Sequence, residues 1–142
     1  MSLVSTKWLF NNRENVKIID CSWHLPNEKR NSLEEYNSEH IPNAVYFDID
    51  KNSDQNSDLP HMLPSKKQWE ETVSSLGISN DDKIIIYDNS DLISSCRLWY
   101  SFLYFGHNKE LVYILNGGLE KWNKEKLVTT NIKTDLVKTK YS

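Results

Sequence analysis

Asp88 occupies a position where a loop between a strand and a helix can carry reactive chemistry. It follows a predicted strand, residues 83–87, and a helix is predicted to begin at Ser94. The backbone N–H groups at the start of a helix stabilise an anion, so this arrangement can hold a cysteine thiolate as a nucleophile. A carboxylate at the loop entrance cannot act as that thiolate. Residues 84–97 therefore have the geometry of such a loop but carry Asp88 at its entrance.

Cys96 is the cysteine nearest to this loop in the sequence. It lies inside the predicted helix, and we interpret it as a small buried packing residue, with a nucleophilic role as the alternative. Cys21, just after the first predicted strand, is interpreted in the same way. Because Cys96 and Arg97 are adjacent, the phosphate-binding loop of cysteine phosphatases is absent. Asp88 also lacks the second aspartate, two residues further on, that an aspartyl-phosphate enzyme needs.

A second group of polar side chains lies in the long loop formed by residues 48–64. Asp50 and His61 are the candidates for function in this loop. A charged residue and an imidazole in this loop can face the carboxyl edge of the sheet, where ligands bind in such folds. Ordinary loop polarity is the alternative, with His61 held between Pro60 and Pro64 for structural reasons.

No metal or organic cofactor is predicted. A calcium loop beginning at Asp48 would need glycine and glutamate where Ser53 and Leu59 stand. The histidines also lack the paired spacing of metal ligands. They are His24, His40, His61 and His107.

Strand signals alternate with helix signals along the chain. The predicted strands are residues 16–20, 44–48, 83–87 and 111–115. The predicted helices are residues 5–11, a helix starting at 32, a helix from 65 to about 77, residues 94–105 and residues 119–124. Ser5 is expected to cap the first helix, and capping boxes are expected at Ser32 with Glu35 and at Ser65 with Gln68. This alternation predicts an α/β fold with a parallel sheet covered by helices on both faces.

The composition bounds the class of protein. The 142 residues predict one domain, and a chain of this length can bury a core without disulfides or metals. The net charge of -3 gives no reason to expect nucleic acid or an anionic membrane as a partner. Residues 1–4 lack the start of a secretion signal, and no apolar stretch is long enough to span a bilayer. Two distant cysteines favour reduced thiols and a cytoplasmic location.

Several short segments, taken in order, resemble the signatures of rhodanese-like domains. Residues 39–44, Glu-His-Ile-Pro-Asn-Ala, resemble the first signature, and residues 116–122, Asn-Gly-Gly-Leu-Glu-Lys-Trp, resemble the second. Further matching segments are residues 4–9, 20–23, 47–50, 59–64, 97–99 and 105–107. Asn43 stands where glycine is usual, and asparagine tolerates left-handed backbone angles better than most residues.

The resemblance covers roughly residues 3–128 and is closest to the amino-terminal half of the two-domain thiosulfate and 3-mercaptopyruvate sulfurtransferases. It implies a rhodanese-like α/β fold and a noncatalytic domain. In that family the second domain carries the cysteine that forms a persulfide, and the active site lies between the two domains. Asp88 then stands at the position of that cysteine. We assign residues 1–128 to the rhodanese-like domain and the polar residues 129–142 to a linker or loose tail.

The resemblance also implies roles for three side chains. In the mercaptopyruvate branch, an aspartate and a histidine at the positions of Asp50 and His61 face the catalytic loop of the other domain and help to position the substrate or transfer its proton. This pair favours 3-mercaptopyruvate over thiosulfate as the sulfur donor. Arg97 is expected to support the loop by hydrogen bonding to Asp88 or to carbonyls, with a solvated surface charge as the alternative.

The expected partner is a separate rhodanese domain that carries the cysteine, or a second copy of this chain. A small sulfur donor would bind only with the cysteine-bearing partner. A free-standing inactive domain that recognises a protein or an anion is the main alternative. An inactive relic of a longer gene is a third interpretation.

Overall fold

The computed structural model describes residues 2–53, 63–90 and 93–142, and in these residues the strands form one five-stranded sheet. The strands are β1 (Leu3–Val4), β2 (Lys17–Asp20), β3 (Ala44–Tyr46), β4 (Ile84–Tyr87) and β5 (Val112–Leu115). The helices are α1 (Thr6–Asn12), α2 (Ser32–Ser38), α3 (Lys66–Ser75), α4 (Ile93–Tyr104) and α5 (Gly118–Lys124). No helix among the described residues is long and apolar enough to cross a membrane.

The order of the strands is β1-β5-β4-β2-β3, and all neighbours are parallel. Asp20, at the end of β2, pairs with Tyr46 of β3 on one side and with Tyr87 of β4 on the other. The chain leaves β2 towards β3 and leaves β4 in the opposite direction, towards β5. In open α/β sheets, such a reversal opens a crevice at the carboxyl ends of the strands. A binding crevice is therefore expected at the carboxyl ends of β2 and β4.

Both faces of the sheet are covered, as the sequence predicts. Successive side chains of a strand point to opposite faces, so Ile84 and Ile86 pack in one core and Ile85 and Tyr87 in the other. Helices α3 and α4 cover the first face, with Trp69, Val73, Leu98 and Phe102 buried there. Helices α1, α2 and α5 cover the second face, with Leu9, Tyr36, Leu119 and Trp122 buried there.

Local capping signals are only partly confirmed. The hydroxyls of Ser5 and Ser65 accept hydrogen bonds from the third residue of the helix that follows, as expected. The capping box at Ser32 is wrong, because Asn31 caps α2 and accepts from the Glu34 amide at 3.0 Å. The Ser32 hydroxyl instead pairs with the hydroxyl of Tyr46 at 2.9 Å. The Ser32 hydroxyl is thus engaged by a side chain of β3, and the neighbouring Asn31 provides the cap.

Residues 129–142, called the strap below, do not form a loose tail. At one end Thr130 makes an antiparallel bridge with His40. At the other end Tyr141 is buried, and its amide donates to the Ser74 hydroxyl at 2.9 Å. Between the two ends, threonine hydroxyls donate to carbonyls of the domain, Thr134 to Ala44 and Thr139 to Ile78. A loose tail was therefore the wrong expectation, whereas a linker to a further domain stays a prediction.

His107 fastens the carboxyl end of the strap. Its buried ring contacts the Tyr141 hydroxyl through Nδ1 at 2.9 Å and the Asp82 carbonyl oxygen through Nε2 at 3.0 Å. A carbonyl oxygen only accepts, so Nε2 carries the proton and Nδ1 accepts from Tyr141. Burial lowers the pKa of His107, partly opposed by the hydrogen bond to the Asp82 carbonyl and by the charges of Asp81 and Asp82.

We expect His107 to make the fold sensitive to acid. Because its pKa is lowered, the fold favours the neutral ring, so this stabilisation is complete above the unfolded value of 6.5 and is lost as the pH falls below it. Urea unfolding of the wild type and of His107→Gln between about pH 7.5 and pH 5.5 measures this. The wild type should lose more stability than the variant, because glutamine keeps a donor and an acceptor without titrating. An equal loss of unfolding free energy in the two proteins over this pH range would contradict the role of His107.

Candidate functional site at the carboxyl ends of β2 and β4

Asp88 is buried at the end of β4, with 1% of its surface exposed. One carboxylate oxygen accepts from the Ser90 amide at 3.1 Å. The other accepts from the amide and the hydroxyl of Ser95, at 3.1 and 2.5 Å, and from the Ser94 hydroxyl at 3.4 Å. Ser94 and Ser95 lie in the first turn of α4, where exposed amides and the helix dipole favour an anion. A carboxylate thus occupies the anion position of this strand–loop–helix.

The start of α5 packs against the backbone of Asp88. The Leu119 amide donates to the Asp88 carbonyl oxygen at 3.1 Å. Gly118 has a φ of 59°, and a Cβ there would lie 2.6 Å from that oxygen. No side chain fits between the two backbones, so Gly118 serves backbone geometry.

Asp20 is a second buried carboxyl, at the end of the neighbouring strand β2. One of its oxygens accepts from the amide of Ser22 at 2.9 Å and from its hydroxyl at 2.6 Å. The Ser22 hydroxyl in turn accepts from the Asn89 amide at 2.7 Å, which ties the end of β2 to the Asp88 loop. Burial raises the pKa of Asp20 to about 6, the hydrogen bonds from Ser22 oppose that rise, and the charge of Asp88 adds to it.

We expect Asp20→Asn to stabilise the protein at neutral pH. A pKa raised from 3.8 to about 6 means that burial favours the protonated carboxyl, so stability falls as the pH rises from 3.8 through 6. Asparagine keeps the acceptor for Ser22 and carries no charge. The gain should be up to about 3 kcal/mol at pH 7 and should disappear near pH 4. Urea unfolding measures it, and a difference between variant and wild type that is independent of pH would contradict the titration of Asp20.

Neither cysteine stands at the entrance of the Asp88 loop. Cys21 is fully buried, and its thiol donates weakly to the Tyr87 carbonyl oxygen at 3.7 Å, which confirms it as a packing residue. Burial raises the pKa of Cys21, and the charges of Asp88 and Asp20 raise it further. Such a thiol stays protonated and is a poor nucleophile. Cys96 lies within α4 and is only half-buried, so our expectation of full burial is wrong for it; neither cysteine forms a disulfide bond.

Arg97 does not donate a hydrogen bond to the Asp88 carboxylate. The donors to that carboxylate in the described chain come from its own loop and the start of α4, and Arg97 is not among them. Arg97 instead lines a small cavity beside residues of the 47–53 segment, among them Ile49 and Asn52. Partial burial lowers its pKa. A hydrogen bond from Arg97 to Asp88 was therefore the wrong expectation.

Asp50 lies at the carboxyl edge of the sheet, beyond the end of β3. Its carboxylate accepts from the indole N–H of Trp23 at 3.0 Å. Trp23 belongs to the loop that follows β2, so this bond joins the loops after β2 and β3. His61 and Pro60 lie outside the described residues, and the pairing of His61 with Asp50 stays a prediction.

A polar cleft of about 480 Å³ opens beside this site, between α2 and the ends of β2 and β4. Arg30 donates two hydrogen bonds to Glu35 on its wall, from Nε at 2.8 Å and Nη2 at 2.7 Å, and His24 contacts Glu35 at 3.0 Å. The hydrogen bond from Arg30 lowers the pKa of Glu35. Sequence reasoning gave Asp20 and Arg30 no place in a functional site and gave Glu35 only a place in a capping box. Only the position of Asp20, directly after an apolar strand, could have singled it out.

Comparison with known proteins gives the family. The family model for the Rhodanese-like domain matches residues 5–125. The chain belongs to the rhodanese-like domain family. Thiosulfate/3-mercaptopyruvate sulfurtransferase 1, mitochondrial, of Arabidopsis thaliana is 45% identical over 122 residues, covering 84% of this rhodanese-like chain and 32% of the relative. The thiosulfate sulfurtransferase of Rattus norvegicus is 39% identical, covering 87% of this chain and 43% of the relative.

The fold agrees with that of a solved relative. The crystal structure of a 3-mercaptopyruvate sulfotransferase from Escherichia coli matches with a TM-score of 0.87 and 36% identity, over 97% of this chain and 55% of that one. The rhodanese-like chain thus spans between about a third and a half of the length of these relatives. The word mitochondrial belongs to the name of the Arabidopsis protein, and a cytoplasmic location for this chain stays a prediction.

Proposed function

We propose that this rhodanese-like domain acts as the noncatalytic, amino-terminal half of a sulfurtransferase and supports sulfur transfer by a separate domain that carries the cysteine. The observation that carries the proposal is the buried Asp88 carboxylate. It accepts hydrogen bonds from the amides that would otherwise stabilise a thiolate. A carboxylate cannot form a persulfide. The fold is retained while this chain supplies no nucleophile at its own loop.

Asp50 and His61 are the residues that we propose to assist the partner's chemistry. Asp50 is exposed, so its carboxylate can reach a molecule bound against this edge of the sheet. By the family resemblance, the pair faces the catalytic loop of the second domain and favours 3-mercaptopyruvate. Between them, the names of the relatives compared above include both 3-mercaptopyruvate and thiosulfate. Sequence identity to these relatives therefore does not decide between the two donors.

The face available for the partner includes α4. Ile93, Tyr100 and Tyr104 lie at helical spacing on α4 and are 69%, 53% and 61% exposed. Large apolar and aromatic side chains that share one exposed helix face are typical of a surface that another protein covers. A cysteine-bearing rhodanese domain is the proposed occupant, and self-association through the same face is the other outcome.

Mixing the two halves tests the proposal. The separately expressed second half of the Arabidopsis relative, which by the family resemblance carries the cysteine, is added to this chain, and association and turnover are measured. We expect binding and faster turnover, with Asp50→Ala and His61→Ala slowing the reaction of 3-mercaptopyruvate at least about tenfold and that of thiosulfate less. Glu120→Ala, a change on the exposed face of α5, is the matched control and should have no effect. A chain that neither binds this half nor alters its rate would contradict the proposal.

The polar cleft supports a second candidate function, that of an inactive binding module. Its walls carry both charge signs, from Lys29 and Arg30 and from Glu34 and Glu35. A module that binds a protein or an anion there would not need the second half. In that case Arg30→Ala would abolish binding of the ligand and leave association with the cysteine-bearing half unchanged.

A further inference from the structure

Trp23 donates a hydrogen bond to Asp50, the residue that we propose to assist catalysis. The indole Nε1–H can only donate and the Asp50 carboxylate can only accept, so the 3.0 Å bond between them has one possible direction. A hydrogen bond to an ionised carboxylate is stronger than one between neutral groups. The two residues are 27 positions apart and lie on different loops of the same sheet edge.

The Trp23 end of this contact is held by the core. The side chain of Trp23 packs against the buried cluster of the α3 and α4 face. The two residues before it are also anchored to the end of β4. The Cys21 amide donates to the Tyr87 carbonyl oxygen at 3.0 Å, and the Ser22 hydroxyl accepts from the Asn89 amide at 2.7 Å. The indole therefore has a defined place relative to the Asp88 loop.

The Asp50 end has a defined backbone but an exposed side chain. The Asp48 carboxylate accepts from the Lys51 amide at 3.0 Å, and the Asp48 carbonyl oxygen accepts from the Asn52 amide at 3.0 Å. Ile49 is buried beneath this turn. The turn fixes the Cα of Asp50, whereas an exposed carboxylate on such a turn samples several rotamers. The bond from Trp23 stabilises the rotamer in which the carboxylate meets the indole N–H.

We infer that Trp23 is a positioning residue for Asp50, which holds the carboxylate ready for a sulfur donor bound in the partner domain. This inference rests on the proposed function, because Asp50 needs a partner's substrate to act on. Preorganising a group in its productive orientation removes the cost of ordering it during the reaction. In this role Trp23 acts through Asp50.

The contact can be tested in the chain alone by NMR of the indole N–H groups. Five tryptophans give five resonances, and Trp23→Phe assigns the one from Trp23. We expect that resonance to move in Asp50→Asn, which replaces the charged acceptor of the indole N–H by a neutral one, while the resonances of the other four tryptophans stay in place. A Trp23 resonance that is indifferent to Asp50→Asn would overturn the inference.

The positioning role is tested by a double-mutant cycle in the reconstituted pair of halves. Trp23→Phe keeps a ring against the core and removes the donor, and we expect it to lower kcat/KM for 3-mercaptopyruvate about three- to tenfold. In an Asp50→Ala background it should cause no further loss, because the group that it positions is gone. Trp8→Phe, on α1 beside Lys83, is the matched control and should leave the rate unchanged.

The outcomes separate this inference from the proposed function. If Asp50→Ala slows the reaction and Trp23→Phe does not, or if the two losses simply multiply, the positioning role is overturned while the proposed function stands. If Asp50→Ala itself has no effect, the supporting role of Asp50 fails and the positioning role of Trp23 fails with it. Loss of association between the halves in Trp23→Phe would assign Trp23 to the interface instead.

Discussion

The chain on its own should turn over neither thiosulfate nor 3-mercaptopyruvate, and Cys96→Ser should leave that result unchanged. Transfer of sulfur through a persulfide needs a thiolate at the loop entrance, and Asp88 stands there instead. Cys21 cannot replace it, because its buried thiol has a raised pKa and no access to a donor. Product formation with cyanide or a thiol as acceptor measures turnover. Rapid turnover that disappears in Cys96→Ser would make Cys96 the nucleophile and would contradict our interpretation.

Restoring a thiol as Asp88→Cys should give at most weak persulfide formation. Position 88 is only 1% exposed, and the start of α5 packs directly on its backbone. A sulfur donor therefore has little access to a side chain there. Mass spectrometry after incubation with thiosulfate detects the persulfide. Turnover comparable to that of the intact two-domain relatives would show that the loop is still shaped for catalysis.

Asp88→Ala should lower the free energy of unfolding by about 1–3 kcal/mol, although it removes a buried charge. The substitution leaves the amides of Ser90 and Ser95 without their acceptor, and an unpaired buried donor costs that much. Relief of the repulsion with Asp20 offsets part of the loss. For a domain of this size, the melting temperature should fall by about 3–10 °C.

Asp88→Asn is the matched control for this prediction. Asparagine keeps one carboxamide oxygen for the Ser90 or the Ser95 amide but places an N–H₂ group against the other donor. Its stability should therefore lie between those of the wild type and Asp88→Ala. An unchanged melting temperature in Asp88→Ala would show that Asp88 is an ordinary solvated residue.

Several features could be predicted from the sequence because they depend on neighbours along the chain. Strands β2 to β5 lie within one or two residues of the predicted runs, since each is an apolar segment bounded by polar residues. The covering of both faces follows from the alternation of strands with helices. Asn43 adopts a φ of 71°, in agreement with its place in a turn that usually contains glycine. The absence of a nucleophile at Asp88 was also visible, because the loop position follows directly from the strand.

Other features were decided only when distant segments came together. Strand β1 has two residues and no pattern of its own, and it exists because β5 offers it an edge. Asn31 replaces Ser32 as the cap of α2 because Tyr46, from β3, binds the Ser32 hydroxyl. The strap is polar and aperiodic, yet carbonyls exposed by the domain bind its threonines.

The site shows the same division. Sequence alone indicated that Asp88 directly follows a strand and that Asp50 lies in the long loop after the predicted strand of residues 44–48, because both assignments depend on the apolar runs that precede them. Only the tertiary structure decided that Asp88 would be buried under α5, that Asp20 would share its surroundings, and that Trp23 would hold Asp50. These contacts join residues 27 or more positions apart, and their energies come from burial and pairing, which a local pattern does not encode.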